Sequence, residues 1–217
     1  HARVIGGREQ RQQITLLRLA GHDWRRRTLA RLEQLLERDQ LTSGTTWHAA
    51  GLMVTFGSMS ETSTELRKYT RQLYQNLEAE TGLATGFKPC GFIELALDDD
   101  RVEEFRRVAA FDRYCGIDVH EISGREVGEL FPLARTDDIR AGFYVKEDGR
   151  VNPVDVTMSM AKGAKMQGAT IIEGVPVTGF LTKGGAVTGV RTARGDIEAD
   201  YVVNCAGMWA RQLGELA

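Results

Sequence analysis

The sequence has few of the residues that staple or brake a fold: 3 cysteines, 4 prolines and 4 histidines among 217 residues. Cys90, Cys115 and Cys205 lie far apart. They form neither a CxxC metal pair nor an even-numbered disulfide framework, so a reducing compartment is expected. His1, His22 and His120 lack the partner spacing of a metal site, and no metal is assigned. No apolar run approaches the ~20 residues of a membrane-spanning helix, and no apolar signal core opens the chain. The chain starts at His1 rather than Met, which is compatible with a leader removed or never included. The 28 Lys and Arg nearly balance 30 Asp and Glu, giving a formal net charge of -2. The footprint of a nucleic-acid binder is missing, and neither nucleic acid nor membrane is expected as a partner.

What is present is an ordinary globular composition, 42% hydrophobic and 27% charged, with an excess of glycine, 24 residues. That excess points to tight turns or close backbone approach to a ligand. The clearest pattern begins at Asn152-Pro153-Val154-Asp155, an N-cap, a proline at the first helical position and an acid in the first turn. A helix is expected from there to Gly168, with Val154, Met158, Ala161 and Lys165 on one stripe. Strands are expected at 170–173, 175–181, 186–192 and 197–199, joined by the Lys183-Gly184-Gly185 and Ala193-Arg194-Gly195 turns into a short β-meander. Residues 201–205 read as a buried parallel strand, and Ala206-Gly207 turns it into a helix through Trp209, a ligand-binding arrangement.

Upstream, Leu66, Tyr69, Leu73 and Leu77 predict one amphipathic helix from about Glu61 to Gly82. Residues 91–97 and 141–145 read as strands. Val102, Phe105, Val108 and Ala109 mark a further helix, and Ser123 with Glu126 a capping box. Residues 85–150 therefore look like a lobe inserted between two parts of a nucleotide-binding domain, 1–84 and 151–217. The start is irregular. Arg3-Val4-Ile5-Gly6-Gly7 opens like the strand and turn of a dinucleotide-binding unit, yet Arg8-Glu9-Gln10 breaks the GxGxxG pattern. Seven arginines lie between Arg8 and Arg31, and Leu29, Leu32 and Leu36 have helical spacing, so a solvated basic helix is one reading of this atypical 8–34 stretch.

The stretch from Leu35 to Leu52, with Thr45-Thr46-Trp47-His48-Ala49-Ala50-Gly51 at its centre, resembles the dimethylglycine and sarcosine dehydrogenase family of flavoproteins, within the D-amino-acid-oxidase-like superfamily. The resemblance continues through Glu80-Thr81-Gly82, Asp148-Gly149-Arg150-Val151-Asn152-Pro153, Pro176-Val177-Thr178-Gly179 and Val203-Asn204-Cys205-Ala206-Gly207-Met208-Trp209-Ala210. It implies an α/β fold: a Rossmann-like FAD-binding domain with an inserted α+β substrate-domain segment. Glu37 would accept the ribose hydroxyls of FAD, with Arg38 beside it; the alternative is a surface Glu in an Arg-rich helix. Ser43, Gly44, Thr45 and Thr46 would face the pyrophosphate, or form a plain turn. The family implies that His48 carries FAD covalently, flanked by Trp47, Ala49, Ala50, Gly51 and Leu52; otherwise His48 is a packed or capped side chain. Val177 matches an adenine contact and is on its own only a strand valine. Gly207 would allow close approach of the cofactor, with Gly6 and Gly7 at the first turn.

The resemblance implies oxidation of a small N-methyl amine, dimethylglycine or sarcosine, with tetrahydrofolate engaged in a full-length relative that continues beyond Ala217. No catalytic base and no electron acceptor can be assigned. A non-enzyme alternative resembles the regulatory subunit of pyruvate dehydrogenase phosphatase. The broken Gly6-Gly7 turn favours it, and retention of His48 opposes it. A third is a D-amino-acid-oxidase-like enzyme without folate coupling. The cytoplasm is the expected location, with the mitochondrial matrix as the alternative.

Overall fold

The computed structural model describes residues 13–17 and 32–217, so Gly6, Gly7 and most of the arginine-rich stretch lie outside the described residues. The chain divides into two compact units, one made of His1–His48 and Met160–Ala217, the other of Ala49–Ser159. Residues 49–84 and 151–159 thus pack with the inserted segment.

The first unit opens with β1 (Gln13–Leu17) and β2 (Leu32–Glu37), followed by a 3-10 turn at Thr46–His48. Residues 32–37 form a strand where helical spacing suggested a basic helix, because Leu36, only 1% exposed, is drawn into a core with Val177, Phe180, Val190, Ala206 and Leu213. Burial of that face outweighs a weak local helix preference.

The second unit starts at β3 (Leu52–Met53) and helix α1 (Glu61–Thr81), capped by the Ser60 side chain and ended by Gly82. Strand β4 (Phe92–Ala96) leads to α2 (Asp99–Tyr114), then to β5 (His120–Ile122). Helix α3 (Gly124–Leu130) begins with the expected box, the Ser123 side chain accepting from the Glu126 N–H and the Glu126 carboxylate from the Ser123 N–H. Strands β6 (Ala141–Val145) and β7 (Gly149–Arg150) follow. The sheet order is β4-β6-β5, antiparallel throughout, and β3 pairs with β7. Phe143 on β6, fully buried, meets the rings of Phe56 and Phe105 at the centre of the core. Helix α1 departs from its predicted stripe. Leu66 and Tyr69 are 63% and 61% exposed, whereas Thr64, Leu77 and Thr81 are buried and Arg67 and Arg71 half-buried.

Helix α4 (Pro153–Met166) starts where expected, with the Asn152 side chain accepting from the Val154 and Asp155 N–H groups. Its buried positions are Val156 and Ser159, and Met158 of the predicted stripe is exposed. Back in the first unit come β8 (Thr170–Ile172), β9 (Val177–Lys183), β10 (Ala186–Thr192), β11 (Gly195–Glu198), β12 (Tyr201–Asn204) and the short helix α5 (Ala210–Gly214). The meander contains β9, β10 and β11 only. Strand β8, expected to lead into it, instead pairs parallel with β2 in a second sheet of order β12-β1-β2-β8. There β1 runs antiparallel to both neighbours, opposing Gln13 to Glu37 and Ile14 to Asn204. Strand β12 therefore points the same way as β2 and β8, yet its bonds to β1 are antiparallel and Tyr201 and Val203 are exposed. The fully buried parallel strand read from residues 201–205 is corrected accordingly. An apolar run alone does not say which neighbours it will find.

Candidate cofactor site

In the first unit β2, β8 and β12 share one direction, so the residues after their C-terminal ends gather at one edge, where open α/β sheets bind nucleotides. Glu37 ends β2 and Glu173 follows β8. The Glu37 carbonyl accepts the Val175 N–H at 3.0 Å, and the Asp39 carbonyl accepts the Gly174 N–H at 2.8 Å. Glu173 Oε1 accepts the Leu41 N–H at 2.6 Å, tying the loop after β2 to the segment that leads into β9. Val177, at the start of β9, is buried below this edge.

Glu37 Oε1 accepts the Asp39 N–H at 2.9 Å. A carboxylate has about four lone-pair sites, so capacity remains for the two hydroxyls of a ribose. Burial pushes the Glu37 pKa up; the Asp39 and Arg38 N–H groups oppose this, while the Asp39 and Glu173 carboxylates add to it. Such a group gains more from hydroxyl donors than a solvated acid does. The surface-helix alternative for Glu37 is overturned, since it sits at a strand end and is half-buried. Arg38 beside it is also half-buried.

Residues 41–45 then turn sharply, and Thr42 takes φ +69, a conformation costly for a β-branched residue. The Ser43 hydroxyl donates to the Gln40 carbonyl at 2.8 Å. Gly44 is half-buried, Thr45 exposed and Thr46 half-buried, opening the 3-10 turn. The His48 N–H donates to the Thr45 carbonyl, and its ring lies 3.7 Å from the Trp47 ring at 33°. Both side chains face solvent, Trp47 at 59% exposure, so His48 is not packed into a core. Ala49 and Ala50 are exposed. Gly51 and Leu52, in the second unit, are buried and exposed respectively.

At the end of β12, Asn204 accepts the Ala206 N–H and donates to the Ala210 carbonyl, bracing the turn in which Gly207 takes φ +56. Glycine suits that conformation. Trp209 packs against the core, as its place at the helix start suggested. Sequence reasoning missed Asp39, Glu173 and Asn204. Their only signal was a polar residue just past an apolar run.

These residues fit the adenosine half of FAD: an acid at the end of β2, a buried strand start at Val177 and a glycine turn after β12. They do not supply the usual pyrophosphate seat. That seat is the glycine turn leaving the first strand beside the acid, whereas here β1 enters beside Glu37 and leaves at Leu17, opposite Leu32 and Tyr201. The 43–46 loop, which follows Glu37 in the chain, offers hydroxyl and glycine groups.

Comparison with known proteins decides the family. The model described as FAD dependent oxidoreductase (DAO) matches residues 29–217. The chain belongs to this family. Human mitochondrial sarcosine dehydrogenase is 39% identical over 189 residues, covering 84% of this chain and 20% of that protein. Rat mitochondrial dimethylglycine dehydrogenase is 37% identical over 185 residues, covering 84% and 21%. The mouse mitochondrial pyruvate dehydrogenase phosphatase regulatory subunit is 39% identical over 180 residues, covering 83% and 20%. The chain spans about one fifth of the length of these curated relatives. Among solved structures, L-proline dehydrogenase from P. horikoshii matches with a TM-score of 0.78 and 26% identity, covering 85% of this chain and 49% of that one. The α/β, FAD-binding architecture of a DAO-family oxidoreductase is thereby established. Among the described residues, no cluster of His, Cys, Asp and Glu could hold a metal ion, and no helix is long and apolar enough to cross a membrane.

Proposed function

We propose that this DAO-family chain is the cofactor-holding part of an amine dehydrogenase acting on an N-methylated glycine, dimethylglycine or sarcosine. The observation that carries the reading is the half-buried Glu37 carboxylate at the shared strand edge, with the solvent-facing Trp47–His48 pair following it in the same unit. FAD, when bound, supplies the acceptor for a hydride from the N-methyl carbon, leaving an iminium that water hydrolyses or tetrahydrofolate captures. Glu37 accepts the ribose hydroxyls, and the Val177 backbone meets the adenine. The 43–46 loop donates to the pyrophosphate. A ring nitrogen of His48, unencumbered by core packing, is the tether, as a neutral imidazole is a nucleophile. Ala49, Ala50, Gly51 and Leu52 follow the tether in the chain, and Gly207 permits close approach. Gly6 and Gly7 retain their proposed place at the first turn. No catalytic base is assigned. Both the cytosol and the mitochondrial matrix suit the reading; the mitochondrial location belongs to the relatives' names.

The test is to load the chain with FAD and add sarcosine or dimethylglycine without oxygen. Bleaching of the visible flavin band by either amine supports the reading. Retained flavin that neither amine bleaches contradicts the substrate assignment.

One observation favours a second reading, a regulatory relative. The chain is as similar to the phosphatase regulatory subunit as to sarcosine dehydrogenase, 39% in both cases, and among the described residues no glycine turn stands beside Glu37 at β1. Absence of any FAD binding would favour it.

A further inference from the structure

The block Asp148-Gly149-Arg150-Val151-Asn152-Pro153 has so far received no role beyond capping α4. In the second unit it is where three otherwise separate segments meet. Strand β7 pairs with β3, and the Val151 N–H donates to the Gly51 carbonyl at 2.8 Å. On its other side, Arg150 and Lys88 exchange backbone bonds, and the Asn152 N–H donates to the Thr85 carbonyl. Gly149 is required by this sandwich, since a Cβ there would overlap the Lys88 carbonyl.

Asp148 supplies the anchor. Its side chain is 0% exposed, and both oxygens are used. Oδ2 accepts the Thr55 N–H at 2.7 Å, the Thr55 hydroxyl lies 2.9 Å from Oδ1, and Arg71 Nη1 donates to Oδ1 at 3.0 Å. One turn earlier on α1, Arg67 Nη1 donates to the Phe56 carbonyl at 2.7 Å, and the Gly57 N–H donates to buried Asp112. Residues 55–57 have no regular structure, and Thr55 and Phe56 are buried, so their backbone groups need partners from elsewhere. Arg67 and the two buried aspartates supply them, and Arg71, one turn on along the same helix face, backs Asp148. The two aspartates differ. Asp112 Oδ1 has no partner among the described residues, whereas Asp148 is fully bonded and backed by Arg71, which also pairs with Glu147 at 2.7 Å.

We infer that Asp148 is a positioning residue that fixes Gly51–Gly57, the segment leading directly out of the Trp47–His48 flavin loop, in one register against β7. Its carboxylate holds Thr55, and the β3–β7 pair then has a single alignment, with Met53 opposite Gly149. Strand pairs only two residues long are otherwise weakly specified. The inference rests on the proposed cofactor reading for its consequence, but not for its physical content.

Two readouts separate the inference from that reading. The first is amide hydrogen exchange of the 217-residue chain without cofactor, comparing wild type with Asp148→Asn, Thr55→Val and Thr55→Ser. Asp148→Asn and Thr55→Val are expected to speed exchange across residues 49–57 about tenfold or more, the size of losing a bond to a charged group, with α2 and β4 unchanged. Thr55→Ser, which keeps the hydroxyl, is expected to preserve protection. Ser159→Ala breaks a different buried pair in the same unit, with Thr81 at 2.7 Å, and is expected to leave 49–57 alone. The second readout is the fraction of flavin that survives acid precipitation of the wild type, which reports on the functional reading alone. Unchanged exchange at 49–57, or equal loosening by Ser159→Ala, overturns the inference whether or not FAD binds. Absence of flavin from the wild type contradicts the functional reading, and the exchange result still decides the role of Asp148.

Discussion

The two units use polar groups in opposite ways. In the second, charged side chains are turned inward: Asp112 and Asp148 are fully buried, Arg67 donates to the Phe56 carbonyl and Arg71 to the Asp148 carboxylate. In the first, the fully buried residues among those described are apolar, and the carboxylates and imidazole of Glu37, Glu173 and His48 stand at the sheet edge or in solvent. One arrangement fixes a loop, and the other leaves hydrogen-bonding capacity for a ligand. Buried charge in a protein is therefore informative only once its partners are counted. A satisfied carboxylate such as Asp148 is architectural, and a half-satisfied one such as Glu37 is a candidate site.

The contrast is broken most strongly in the cores. Phe143→Ala in the second unit removes the ring at the centre of an aromatic trio and is expected to cost about 3–5 kcal/mol, read as a shift of the urea midpoint. Leu36→Ala beside Glu37 is expected to cost about 2–5 kcal/mol by the same measurement, at the lower end if the smaller cluster collapses around the gap. Glu37→Gln sharpens the comparison. It removes a charge that burial disfavours, so thermal stability near neutral pH should hold or rise, while FAD affinity falls by about 1.5–3 kcal/mol in a fluorescence titration.

The pH dependence follows from the same group. The folded chain holds the Glu37 proton more tightly than the unfolded chain, so ν_N exceeds ν_U between the ordinary and the raised pKa. Glu37 therefore favours folding at low pH, and that contribution is lost as pH rises through the raised value. Ribose hydroxyls prefer the ionised form, so FAD affinity should move the other way, weakening as pH falls through the raised pKa. Dissociation constants across this range should show the slope in wild type and lack it in Glu37→Gln. The smallest effect is expected at Ser60→Ala, which removes the α1 cap for about 1 kcal/mol without changing FAD binding.

Much of the fold was legible where local chemistry is self-contained. The Asn152-Pro153 start, the Ser123–Glu126 box and the two glycine turns of the meander each depend on neighbours a few residues away. What escaped notice depended on partners distant in sequence. On α4, Ser159 shares a face with Asp155 and Lys162, so spacing alone pointed to Val154 and Met158 rather than to the buried Ser159. Nothing in the sequence near Arg67 and Arg71 announces Asp112 or Asp148, 45 and 77 residues downstream. Strand β2 was obscured by the arginines before it, and the direction of β1 is a tertiary choice. For the site, Glu37 and the Trp47–His48 loop were found through family resemblance. Asp39 and Glu173 came only with the geometry, since an acid after a strand is an ordinary surface residue until its neighbour is known.

The most direct test of the central claim is a visible absorption spectrum of the purified chain after incubation with FAD and desalting, repeated on the acid-precipitated protein, for wild type and His48→Ala. The account predicts flavin absorbance that stays with precipitated wild-type protein and is released from His48→Ala. Flavin lost equally from both would contradict the tether, and no flavin on either after desalting would contradict the cofactor site itself.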